Sequence, residues 1–499
     1  MHRLSHAHRH PLHDQAATRA IEQAAAAALP PQALMQRAGL AVARLALALA
    51  PHARRIWIAC GPGNNGGDGL EAAMQLQRRG AYPIVTWLGD EARAPADARA
   101  ALARAREAGV AFADEPPSGL GPQDLCIDAL LGLGGARPPE GRMASWIAAM
   151  NLCPAPTLAV DLPSGLAADT GNYAADRTPG HVEKTADQVR AQHTLSLLTL
   201  KPGLFTAHGR DACGTLWFDD LGVAAHAPPS AWLAGAPLPC ARPHASHKGS
   251  FGDVAVIGGE GLAARGLGMS GAALLAASAA LHGGAGRVLV SLLDGGAMAL
   301  DCAQPELMLR RFEALDLSRL TVACGCGGGE AVRAVLPAVL SRSPRLVLDA
   351  DALNAIAADP QLQTLLDRRA ARGLASVLTP HPLEAARLLG CSAAEVQADR
   401  LAAARRLAQR HGCVVVLKGS GTVIAAPDEP PVINPSGNAR LATAGTGDVL
   451  AGLIGARLAS GLPTLAAACE AVYQHGAAAD AWPIDRALTA GALARRLRA

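Results

Sequence analysis

Short β-branched runs alternate with Ala/Leu-rich helical stretches along almost the entire chain, and the alternation breaks once, at AAHAPPSAWLAGAPLPCARPHASH (224–247). Such alternation is the pattern of parallel sheets covered by helices on both faces. Before the break, strands are expected at RIWIAC (55–60), PIVTWL (83–88), DLCID (124–128), PTLAVD (156–161) and HTLSLL (193–198). Helical stretches such as LEAAMQLQRRG and ADARAALARAREAG lie between them. After the break DVAVIGG (253–259) opens a second series, continued by RVLVSL, LTVACG, RLVLDAD, SVLTPH and VVVLKGS. The break itself is rich in Pro and has no periodicity, as linkers do. Two α/β domains are therefore expected, over 1–228 and 240–499, and 499 residues let each bury its own core.

Composition removes several function classes. Half the residues are hydrophobic and 17% are charged, which excludes global disorder. A net charge of +3, no Lys/Arg block and 3% aromatic residues speak against a nucleic-acid partner. The apolar run around Leu40–Ala50 is broken by Arg44 and is too short for a bilayer, so no membrane partner is expected. The 11 cysteines are scattered, and only Cys324 and Cys326 are close, with no His/Cys pair at zinc spacing. Buried thiols in a reducing compartment follow. The His-rich start has no stretch resembling a signal peptide and reads as a frayed terminus. A cytoplasmic protein is expected.

Two glycine loops carry chemistry. In the first, RIWIAC-GPGNNGGDG-LEAAMQLQRRG, Gly61, Gly63 and Gly66 match G-x-G-x-x-G, with Asp90 near the end of the next strand, as in a dinucleotide fingerprint. Taken alone this suggests an NAD-dependent oxidoreductase. However, Asn64, Asn65 and Asp68 put two amides and a carboxylate where a pyrophosphate needs bare N–H groups, and a carboxylate repels phosphate. Asp68 should therefore meet a hydroxyl, an amide or a cation; as a plain structural element it would be a first-turn acid. Asp128 and Asp161 end two further strands, each followed by a small-residue loop. Carboxylates there face the ligand crevice of an open parallel sheet, and their hard oxygens suit K⁺, Na⁺ or Mg²⁺.

In the second loop, Gly445, Thr446 and Gly447 offer backbone N–H groups at a helix start, an anion hole for a transferring phosphoryl group, with Asp448 in the first turn. Asp448 could be a simple cap. Upstream, Lys418, Ser420 and Thr422 in VVVLKGSGTVIAAP are placed to reach phosphates across a hairpin, although a glycine-turned hairpin needs no ligand.

NNGGDG, IDALLG and VDLPSG, with RAIE (19–22), LMQRAG (34–39) and LKPGL (200–204), resemble the NAD(P)HX epimerase family over roughly residues 15–225. That resemblance implies a hydrated nicotinamide cofactor as substrate and interconversion of its two C6 epimers. It places Asn64, Asn65, Gly66, Gly67 and Asp68, and the loop Gly132, Leu133, Gly134, Gly135, Ala136, Arg137 and Pro138, on the substrate. It implies K⁺ on Asn65, Asp128 and Ser164, and makes Asp161 both a substrate contact and the acid/base. Lys201 is either a second polar partner or a surface lysine with a snorkelling stem. Gln36 departs from the family's usual Glu, and 172–188 looks like an insertion.

The C-terminal loops resemble the ribokinase-like superfamily, in which a GxGD aspartate deprotonates the hydroxyl that attacks a nucleotide phosphate. SHKGSFGDVAVIGG (246–259), LDADALN (348–354), VLTPHPLEAARLLG (377–390) and NPSGN (434–438) narrow this to a resemblance to the ADP/ATP-dependent NAD(P)HX dehydratase family over about residues 240–485. It implies that Ala272, Gly327, His381 and Asp448 hold the hydrated nucleotide, and that Lys418, Gly419, Ser420, Gly421, Thr422 and Gly447 hold ADP with Mg²⁺. The usual Gly-Pro-Gly appears here as CGCGGG (324–329), and NARL (438–441) replaces Asn-Pro-Gly-Met. His381 lies between Pro380 and Pro382, where a purely structural turn is the competing explanation.

The expected fold is thus a Rossmann-like three-layer domain followed by a ribokinase-like α/β domain. Together they would epimerise NADHX or NADPHX and dehydrate the S form at the expense of ADP, in a homo-oligomer. Three alternatives stand beside this. A vitamin-precursor kinase would share GTGD but lack the N-terminal half. The first loop alone suggests the oxidoreductase, and N-terminal halves of this kind also serve as binding modules.

Overall fold

The computed structural model describes residues 1–134, 138–173, 187–238 and 242–498. The chain forms two compact units, Met1–His6 with His10–Trp232, and Ala7–Arg9 with Leu233–Ala499.

The first unit holds an eight-stranded sheet. Its spatial order is His2–Arg3, Thr215–Asp219, His193–Leu197, Thr157–Val160, Leu125–Ala129, Ile56–Cys60, Pro83–Trp87 and Ala111–Ala113. All neighbours are parallel except the first pair. Ile58, Cys60, Ile127 and Ala129 pack into one core, whereas Trp57, Ala59 and Cys126 pack into another. Side-chain alternation thus buries both faces, which is why these strands read as continuous apolar runs. After the edge strand His2–Arg3, the parallel part starts at the centre with Ile56–Cys60, winds outward to Ala111–Ala113, and returns to Leu125–Ala129 on the other side. The order therefore reverses between Ile56–Cys60 and Leu125–Ala129, and the crevice beyond those strand ends is the ligand-binding position of such sheets.

Two expectations change in this unit. The N-terminus is not frayed: His2 and Arg3 pair antiparallel with Phe218 and Trp217, and the Met1 ammonium lies 3.1 Å from Asp219. Three strands, ending at Trp87, Val160 and Leu197, also stop one residue earlier than the apolar runs suggest. Asp161 already lies outside its strand, with φ +67°, a left-handed conformation that side chains rarely adopt.

In the second unit the order is Met308–Leu309, Arg287–Leu292, Asp253–Gly258, Thr321–Cys324, Arg345–Leu348, Ala375–Leu378, Val414–Leu417, Val423–Ala425 and Val432–Ile433. The strands are parallel as far as Val414–Leu417, and the last two pair antiparallel. Here too the order reverses beside the first strand, between Asp253–Gly258 and Thr321–Cys324. The almost wholly buried helix Thr446–Ala459 packs on helix Ser270–His282 and against the sheet, as its apolar composition requires. No helix among the described residues is long and apolar enough to cross a membrane.

Candidate active sites

In the first unit the glycine loop is built by backbone contact. A Cβ on Gly61 would stand 1.8 Å from the Leu130 carbonyl oxygen, and one on Gly66 would stand 2.0 Å from that of Gly61. Gly61 thus allows close packing between the two loops at the switch point, and Gly66 lets its own loop fold back on Gly61. The helix begins at Asn64, so Asp68 lies in its second turn and caps nothing, contrary to the first-turn position expected. Asp90 sits in an exposed turn beyond Pro83–Trp87, beside Arg93, and does not line the cavity described next. The acid that a dinucleotide fingerprint requires is therefore missing from the crevice.

A cavity of about 610 Å³ opens at this switch point. Asn64, Asn65, Asp68, Gly132, Leu133, Gly134 and Asp161 all line it. Gly66 and Gly67 are buried behind it, Pro138 is exposed, and Gly135, Ala136 and Arg137 lie outside the described residues, as does most of the 172–188 stretch. The Asp161 carboxylate accepts from the backbone N–H of Leu197 at 3.1 Å and from the Lys201 ammonium. Lys201 is fully buried and donates also to the Leu197 carbonyl at 2.7 Å and to Ser196 Oγ at 3.4 Å. It is therefore an internal counter-ion and not a surface lysine. Burial and the neighbouring Asp161 carboxylate raise Asp68 well above the usual carboxylate range.

Asp128 is fully buried one strand away, and its carboxylate accepts from Ser164 Oγ at 2.6 Å, Ser164 N at 2.8 Å and Leu130 N at 3.2 Å. Burial pushes it up to about 6. No cationic side chain among the described residues pairs with it. The Asn65 side chain abuts Gly132, its Oδ1 3.1 Å from where a Cβ would stand there, and its Nδ2 is buried without a partner. A buried carboxylate with hydroxyl and amide oxygens but no counter-ion fits a hard monovalent cation.

In the second unit Asp448 lies in the first turn of its helix, and no side chain caps that helix; Gly445 precedes it at φ +89°. The cap explanation therefore fails for Asp448. Asp448, Asp349 and Cys326 bring their ligand atoms within 4.8 Å of one another. Asp349 accepts from Lys418 Nζ at 2.7 Å and from Thr379 Oγ1 at 2.7 Å. Burial and the charge of Asp349 push Asp448 up to about 7, partly offset by the hydrogen bond with the Cys326 thiol. His475, buried and held near 4 by desolvation, meets the Thr446 carbonyl at 2.9 Å and anchors the helix start from behind.

The other residues expected here divide. Lys418 lies beside Gly447, its Nζ 3.4 Å from where a Cβ there would stand, so the two glycine loops meet. The strands flanking Lys418–Thr422 form an antiparallel hairpin, supported from below by buried Arg400, which donates to the Leu417 and Lys418 carbonyls at 3.2 Å. A Cβ on Gly327 would fall 2.8 Å from Ala272 Cβ, so those two positions adjoin. His381 is a helix cap: its Nδ1 accepts from Leu383 N at 3.1 Å, and Glu384 returns a bond to its backbone. Its Nε2 lies 3.3 Å from Glu384 on a half-exposed ring. Asn434 and Asn438 brace their own loop, the latter against Asp480. Sequence reasoning did not single out Asp349, Thr379 or His475, and read Cys326 only as a buried thiol. Asp349 was signalled only by its place at a strand end in LDAD.

Residues 254–498 match the family model described as NAD(P)H-hydrate dehydratase, and residues 31–203 match that of the YjeF-related protein N-terminus. The chain is 40% identical over 469 residues to the bifunctional NAD(P)H-hydrate repair enzyme of Escherichia coli, covering 90% of this chain and 84% of that protein. It is 35% identical to the enzyme of that name from Coxiella burnetii, over 90% of this chain and 89% of that one. The C-terminal half is 46% identical to an ADP-dependent (S)-NAD(P)H-hydrate dehydratase of Neisseria meningitidis, over 51% of this chain and 85% of that protein. Both halves thus match in order along one polypeptide, and the chain belongs to the family of bifunctional NAD(P)H-hydrate repair enzymes.

Proposed function

We propose that residues 1–228 interconvert the R and S epimers of hydrated NADH or NADPH, and that residues 240–499 dehydrate the S form at the expense of ADP. The observation that carries this reading is the pairing of two carboxylate crevices in one chain, each at the switch point of its own sheet. In the first, Asn64–Asp68 and the Gly132–Pro138 loop hold the substrate, with Asp161 as its acid/base. K⁺ on Asn65, Asp128 and Ser164 would tie the Asn65 and Ser164 loops to one buried charge.

In the second, Ala272, Gly327 and His381 hold the hydrate and Asp448 takes the proton of its C6 hydroxyl. Lys418–Thr422 and Gly447 hold the ADP phosphates. The helix start supplies N–H groups for charge on the transferring phosphoryl group. Mg²⁺ would neutralise charge on those phosphates. Asp349 and Asp448 are the hard oxygen donors at that point, whereas the Cys326 thiol does not suit Mg²⁺. Hydroxide leaves poorly and phosphate leaves well, so phosphorylation turns a sluggish dehydration into a fast elimination. The described cysteines are free thiols, which suits the reducing cytoplasm in which we place a homo-oligomer.

The test adds hydrated NADH, as mixed epimers, with ADP or ATP and follows the near-UV absorbance of the reduced nicotinamide. Complete recovery supports both activities, recovery of one epimer's share shows a silent N-terminal unit, and no recovery rejects the reading. Faster turnover with ATP than with ADP overturns the donor assignment.

A further inference from the structure

Four carboxylates line the epimerase cavity, those of Glu22, Asp68, Asp97 and Asp161, and the second and last of them stand in opposite circumstances. Asp161 meets an ammonium and a backbone N–H. Asp68, facing the same cavity, has no hydrogen-bond or ion-pair partner among the described residues. Its parent helix follows Ile56–Cys60, while Asp161 follows Thr157–Val160, and only Leu125–Ala129 lies between those strands. Two inter-strand spacings put the strand axes roughly 10 Å apart, and both side chains line the one cavity.

From this geometry we infer that Asp68 and Asp161 divide the epimerisation between them, Asp68 as the proton donor to the C6 hydroxyl and Asp161 as the proton acceptor, with Lys201 as the positioning residue that holds the Asp161 carboxylate in place. The inference rests on the epimerase reading. Asp68 gives its proton to the C6 oxygen. The C6–O bond breaks, water leaves with the bonding pair, and the ring-nitrogen lone pair closes an N1=C6 iminium. Water then adds to the opposite face of C6, and Asp161 takes the proton that it sheds. One water leaves and one enters. The net change is a proton moved from Asp68 to Asp161, which solvent restores before the next turnover.

The electrostatics of the cavity agree with this division. Besides Asp161, the groups facing Asp68 are the carboxylates of Glu22, Glu71 and Asp97 and the Cys60 thiol. Arg104 neutralises Glu71 at 2.7 Å, and Arg19 and Lys201 act on Glu22. No cation among the described residues serves Asp68 itself, and burial favours its neutral, donating form.

The experiment uses the full chain with hydrated NADH enriched in one epimer, without nucleotide, and measures initial rates of inversion in H₂¹⁸O. For Asp68→Asn the expected result is a kcat lower by about 10²–10⁴-fold with KM within threefold of the parent, because the amide keeps shape and contacts but cannot donate a carboxyl proton. Asp68→Glu should recover part of the rate. The parent should gain one ¹⁸O per inversion. A kcat within about threefold of the parent, or a change confined to KM, overturns the role of Asp68. Inversion without label overturns the C–O cleavage step. If the unsubstituted chain shows no inversion at all, the epimerase reading fails beneath the inference.

Discussion

Each half of the molecule sets a lysine-bound aspartate near a second aspartate that burial pushes upward. In the first unit these are Asp161 with Lys201, and Asp68; in the second they are Asp349 with Lys418, and Asp448. The substrate hydroxyl proposed for both sites is the same, but the demands on the raised carboxyl are opposite. In the N-terminal cavity it should give a proton, so its neutral state is the working one. In the C-terminal site it should take one, so a rise to about 7 reduces the working fraction and has to be limited. The Cys326 thiol and Lys418 supply that limit; no described residue gives Asp68 such help. The same pair of side chains thus acquires opposite chemistry from the groups placed around the raised carboxyl.

The largest effect should come from Asp448→Asn: dehydration measured by near-UV recovery should fall by about 10²–10⁴-fold while epimer inversion stays unchanged. Loss of both activities, or of neither, would break the separation of the two sites. Next is Lys201→Met, which removes the ammonium partner of the buried Asp161 and leaves it the Leu197 N–H. A stability loss of about 3–5 kcal/mol is expected in urea unfolding of the first unit, together with loss of inversion. Lys418→Met should cost less, because Thr379 still serves Asp349 and the Lys418 side chain is 20% exposed; equal costs would erase the contrast between the two ion pairs.

The pH dependence sharpens the comparison further. A general base raised to about 7 works only when deprotonated, so dehydratase kcat should climb with pH and level off above that value. A profile flat from pH 5 to 8 would show that Asp448 does not limit the rate. The smallest effect should be that of Cys326→Ala. Its thiol lowers Asp448, so its removal raises Asp448 and moves the acid limb of the profile to higher pH by a fraction of a unit; movement toward lower pH would contradict the assignment.

Much of this could be read from residue order, because strand, glycine turn and helix are local patterns. Asp128, Asp161 and Asp448 stand at strand ends or a helix start within a few residues of their glycines, and periodicity alone places them at a crevice. What could not be read depends on contacts between distant segments. Lys201 reaches Asp161 across 40 residues and Lys418 reaches Asp349 across 69, so nothing near either lysine reports its burial. At His381 the structural turn accounts for part of the motif: Nδ1 accepts from N–H groups at a helix start, and the half-exposed ring remains the ligand contact proposed above. The N-terminal strand escaped notice because its pairing partner lies more than two hundred residues away.

The backbone stack at the first switch point, Leu130 against Gly61 and Gly61 against Gly66, bears on how this gene can vary. Every one-base change of a glycine codon that alters the amino acid introduces a Cβ. At Gly61 and Gly66 that atom would land on a carbonyl oxygen belonging to a neighbouring turn, with no flexible side chain to yield. Harmful variants of the N-terminal unit should therefore concentrate at two positions without a functional group, as readily as at the aspartates that do the chemistry.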